Sequence, residues 1–147
     1  MAGHAYWYTV KYRPELDAAL VDLREREFRA GRYNPAMPFL DFPITPTSSA
    51  PGPLHGTIAD AVAASGADGT RSILDIDGIA SEPDFGVAAP LAPEVLQSLY
   101  GTTEPSASAV EGNMDFLEDV ERGHAVYVVC YTDGSPSDVV FAGYSYD

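Results

Sequence analysis

A chain of 147 residues, 46% apolar and 20% charged, has the size and composition of one globular domain, and nine Tyr, six Phe and one Trp exclude a disordered chain. Its net charge of −14 is uneven: residues 1–32 hold six basic and five acidic side chains, whereas the rest hold only Arg71 and Arg122 against 17 acids, a net of −15. A field of that sign repels nucleic acids and anionic membranes and draws in basic proteins, so a basic protein is the expected partner, with no direct nucleic-acid or membrane contact.

Ala5 to Tyr12 alternates, with Tyr6, Tyr8, Val10 and Tyr12 on one side and Trp7, Thr9 and Lys11 on the other, which predicts a half-buried strand. Pro14 suits the first turn of a helix whose apolar stripe is Leu16, Leu20, Leu23 and Phe28 and whose end is Gly31. Its arginines are expected to be neutralised at i,i+4, Asp22 with Arg26 and Glu25 with Arg29. Six of the twelve prolines lie between Tyr33 and Gly56, so residues 33–56 read as a long Pro-rich loop. Its first half, with Met37, Phe39, Leu40, Phe42 and Ile44, is expected to pack down, and Thr45 to Gly56 to move.

Thr57 followed by Asp60 resembles a capping box and opens a short helix ending at Gly66. Ser72 to Ile76 is β-like, and Pro93 to Tyr100 is a helix stopped by Gly101. Ser106 to Arg122 reads as the last helix, with Val110, Met114, Leu117 and Val120 as its apolar stripe. Ala125 to Tyr131 and Val139 to Tyr146 form a hairpin across the turn-rich loop 132–138. Together these give a single acidic α+β domain over residues 1–147. Its antiparallel sheet comes from the N-terminal strand and the C-terminal hairpin, with about four helices packed mainly on one face.

Ile73-Leu74-Asp75-Ile76-Asp77-Gly78 resembles the first motif of the haloacid-dehalogenase-like phosphatases over six residues, which would make Asp75 a nucleophile on a doubly wound sheet. Ile79 stands where that motif has Thr, and Lys11 is the chain's only lysine, so an acidic turn after a strand is the reading preferred. As a calcium loop the same aspartates lack ligands at Ile79 and Gly86. His4, His55 and His124 have no zinc-ligand spacing, Cys130 alternates with Val126 and Val128 as a buried strand cysteine, and no nucleotide loop or nucleophile elbow occurs. No metal, cofactor or catalytic residue is therefore assigned.

The single cysteine excludes an internal disulfide, no apolar run approaches the ~20 residues that span a bilayer, and Met1 to His4 lacks signal-peptide features, so a cytoplasmic protein is expected. Glu111, Asp115 and Glu118 fall at i, i+4 and i+7, and with Asp119 and Glu121 they would load one face of the last helix with negative charge. With Phe39 and Phe42 from the loop, these residues form the expected partner-binding site. The leading function is that of a stoichiometric binding protein, resembling in size and charge the immunity and antitoxin proteins that neutralise basic toxins or nucleases. The alternatives are a small enzyme or ligand-binding domain assembled from His124, Asp75, Asp77 and sheet tyrosines, and an accessory domain of an assembly.

Overall fold

The alternating run at the N-terminus does form a strand, β1 (Ala5–Lys11), and it lies at one edge of a five-stranded mixed sheet. The computed structural model describes residues 3–37, 40–45 and 47–146. Its other elements are α1 (Leu16–Ala30), α2 (Ile58–Ser65), β2 (Gly78–Ile79), β3 (Val87–Pro90), α3 (Pro93–Tyr100), α4 (Ala107–Gly112), β4 (Ala125–Thr132) and β5 (Ser135–Tyr144). The strand order is β1-β5-β4-β3-β2, antiparallel from β1 through β5 to β4 and parallel from β4 through β3 to β2. The expectation of a purely antiparallel sheet is thus corrected. The link from β3 to β4 runs through α3 and α4, and a crossover of that length is what parallel pairing requires.

The period of two sorts the side chains between two layers. Tyr6, Tyr8, Val139, Phe141 and Ala125 face α1 and the 3-10 turn at Ile73–Asp75, where Leu20, Leu23, Ile73 and Ile76 complete a core. Trp7, Val126, Val128, Cys130, Val140 and Ala142 face the other way, toward α3, α4 and a second 3-10 turn at Asp115–Asp119. Helices therefore cover both faces of the sheet, and the one-face arrangement expected from the sequence is replaced by three layers.

α1 begins at Leu16, two residues past Pro14, and ends at Gly31, whose φ of 77° is the left-handed cap that glycine tolerates. A Cβ at Gly31 would lie 2.0 Å from the Gly52 carbonyl oxygen, and Gly52 N–H donates to the Ala30 carbonyl at 2.8 Å. The second half of the Pro-rich loop is tied down there rather than free, with Leu54 N–H donating to the Tyr33 hydroxyl and His55 Nδ1 2.8 Å from the same oxygen. Under the helix, Glu27 is fully buried and receives both Nε and Nη2 of Arg32 at 2.8 and 2.9 Å, with Arg26 Nε at 2.8 Å. Arg26 thus pairs with Glu27 instead of Asp22, which binds Arg13; the expected Glu25–Arg29 pair forms at 3.1 Å.

Three other expectations shift for local reasons. Ser72 to Ile76 is a 3-10 turn instead of a strand, because the Ser72 hydroxyl accepts from Leu74 N–H and the Asp75 carboxylate accepts from Thr70 N–H at 2.7 Å. The last helix breaks after Gly112. Asn113 is extended, its carbonyl accepts the Tyr100 hydroxyl at 2.5 Å, and its side chain accepts from Asp115 N–H. The hairpin turn is only Asp133-Gly134, both at positive φ as a type I′ turn demands, and a register shift at Cys130/Tyr131 carries β5 back to Ser135.

Candidate functional site

The break at Asn113 decides what becomes of the acidic face. On one continuous helix Glu111, Asp115 and Glu118 would stack; instead Glu111 sits on α4, where its carboxylate accepts the Thr9 hydroxyl of β1 at 2.6 Å. Asp115, Glu118 and Asp119 lie in the following 3-10 turn, and Glu121 just beyond it, all exposed. Like charges at helical spacing repel, so the shortened helix also relieves that cost. The structure brings together Glu118, Asp119 and Glu121, which line a shallow depression with Val120, Arg122 and His124. His124 Nε2 lies 3.8 Å from the Glu121 carboxylate. Glu111 and Asp115 do not take part.

Next to this depression, sharing Asp119 and Val120 with it, is an apolar groove of about 620 Å³. Its apolar lining includes Phe116, Val120, Val126, Leu91 and Val95, and among the described residues its charged lining is Glu82 and Asp119. Burying Phe116 and Val120 against β4 is what holds the acidic turn at the groove's rim. The sequence offered no direct signal for this groove, since it joins four segments, 81–83, 90–95, 116–120 and Val126, that the parallel crossover brings together.

Of the loop aromatics, Phe42 lies away from this site. Phe42 is half-buried, edge-on to Tyr8 with ring centroids 5.4 Å apart, and packs against the core that α1 covers. Phe39 lies outside the described residues.

The residues of the enzymatic alternative are partly assembled. Asp75 is 3% exposed, and its carboxyl is pushed above the usual range by burial, against the lowering effect of hydrogen bonds from Thr70 and Arg71. Its Oδ2 and the fully buried Tyr6 hydroxyl have no hydrogen-bond partner among the described residues. A Cβ at Gly69 would lie 2.7 Å from that Oδ2 and 3.1 Å from the Tyr146 ring, so the carboxylate is walled in. Asp77 is exposed, 3.7 Å from Arg24, and His124 belongs to the acidic depression. A nucleophile needs access, and Asp75 ends a 3-10 turn beneath the sheet instead of a strand, so the six-residue phosphatase likeness does not extend to geometry.

Cys130 is buried, and burial pushes its thiol up to about 12, which keeps it protonated and inert. No group of three or more His, Cys, Asp or Glu side chains suited to a metal ion occurs among the described residues. No helix among them is long and apolar enough to cross a membrane. Comparison with protein-family models, curated proteins and solved structures finds no match to this chain.

Proposed function

We propose that this protein is a stoichiometric binding protein that captures and neutralises a basic partner, in the manner of small acidic inhibitors of the immunity and antitoxin type. The observation that carries this reading is the junction of charge and apolar surface: exposed Glu118, Asp119 and Glu121 stand beside a groove lined by Leu91, Val95, Val120 and Val126. The acids speed encounter with a cationic surface, and the groove supplies the desolvated contact from which affinity comes. The −15 carried by residues 33–147 extends the same field over the rest of the molecule. An enzymatic reading has less support, because the most perturbed carboxyl, Asp75, is sealed from substrate.

The test compares wild type with the triple variant Glu118→Lys, Asp119→Lys, Glu121→Lys in affinity capture from lysate at low and high salt, followed by titration with the purified captured protein. A basic protein held stoichiometrically by wild type, released at high salt and bound at least about tenfold more weakly by the variant supports the proposal. Equal binding by the variant, or no basic protein held at low salt, refutes it.

A further inference from the structure

The groove's walls say how a partner would be gripped. Pro83, Pro90 and Pro93 line it and have no N–H, and Leu91 N–H is already spent on the Tyr127 carbonyl at 3.1 Å. A peptide adding as a β-strand needs free donors along such a wall, and these four residues offer none. The wall is also stiff: proline fixes φ and has no side-chain entropy to lose, and the Leu91 bond pins it to β4. What remains is an apolar trough whose lining includes two exposed acidic side chains, Glu82 and Asp119. An α-helix suits that geometry because its main-chain groups are satisfied internally and only its side chains reach outward.

We infer that the groove docks an amphipathic, cationic α-helix of the partner, with apolar side chains at i and i+3 or i+4 resting on Val126 and Leu91 and flanking Lys or Arg side chains reaching Glu82 and Asp119. The inference rests on the acidic-capture reading above and narrows it to one mode of recognition. Complementarity of charge selects the occupant, since the groove's lining holds no cation and its neighbouring depression holds three acids against Arg122. An anionic or uncharged helix gains nothing from that rim.

The probes are two fluorescein-labelled peptides of identical Leu and Lys composition, one patterned as an amphipathic helix and one scrambled, titrated by fluorescence anisotropy at low salt. The patterned peptide is expected to bind at least about tenfold more tightly, and Ala92→Trp, at an exposed extended position on the groove's lip, should bring it down to the scrambled level while leaving the scrambled peptide unchanged. Glu82→Lys serves as a second variant and should weaken the patterned peptide several-fold more than the scrambled one. Equal binding of the two peptides, or no effect of either variant, overturns the helix-docking mode yet leaves charge-driven capture standing. Failure of both peptides to bind wild type at low salt removes both.

Discussion

The two faces of the sheet are finished differently. On the face toward α1, a 15-residue helix, two fully buried tyrosines, Phe141 and a buried Glu27–Arg32 pair close the layer. On the other, α3 and α4 are eight and six residues long, α3 has no fully buried residue, and the cover ends at an open apolar groove with an acidic rim. A long helix can bury its whole stripe, whereas short, separately capped pieces leave gaps between them, and a gap next to charge is a place to bind. On the capture reading proposed above, stability and recognition fall on opposite sides of one sheet.

That contrast breaks most sharply at Glu27. Glu27→Ala leaves Arg32, 6% exposed, without its bidentate acceptor, and a loss of about 3–5 kcal/mol is expected in urea unfolding; a loss under about 1 kcal/mol would show that the α1 side is not held by its ion pair. Gly31→Ala should cost about 1–3 kcal/mol and raise hydrogen exchange at Gly52 and Leu54, because the new methyl meets the Gly52 carbonyl and the left-handed backbone disfavours it. Unchanged exchange at those amides would mean that the loop is not fastened through Gly31.

Asp75 lies on the closed side and titrates. Burial raises its folded-state pKa above the unfolded value, so the native state holds the proton more tightly. Stability from this group is full below the unfolded pKa and falls as pH rises through the folded one. Unfolding measured across that window should show wild type losing stability relative to Asp75→Asn as pH increases, and a difference that moves the other way would refute burial as the dominant cause. The smallest effect belongs to the open side: Glu118→Lys with Glu121→Lys should change stability by no more than about 0.5 kcal/mol, since both are exposed, while shifting salt-dependent binding strongly.

How much of this was readable beforehand depended on local chemistry. Thr57 accepts from Asp60 N–H and opens α2, and Pro93 and Gly101 bracket α3, so caps placed these helices almost to the residue. The alternation of β1, and of Val126, Val128 and Cys130 in β4, showed which side chains share a face. β3, Val87-Ala88-Ala89-Pro90, escaped because a short parallel strand with both central residues buried does not alternate. β2 has two residues and no pattern at all. With them went the crossover and the groove it builds. Gly112-Asn113 was a visible breaker inside the last helix, outweighed by the apolar period on either side, and that misreading placed Glu111 and Asp115 with Glu118.

β1 pairs with β5 along its whole length, Ala5 opposite Tyr144 and Lys11 opposite Asp138. β1 therefore has no strand partner until residues at least 127 positions later are made, Lys11 with Asp138 being the nearest pair, and Tyr6, Tyr8, Leu20 and Leu23 lack Val139 and Phe141 until β5 has left the exit tunnel. Among the described residues no strand upstream of β5 pairs with β1, so this edge of the sheet closes only once β5 is made, by a slow long-range closure. The early chain presents a sticky tyrosine and leucine surface throughout, a demand on chaperones that follows from where β1 sits in the sheet.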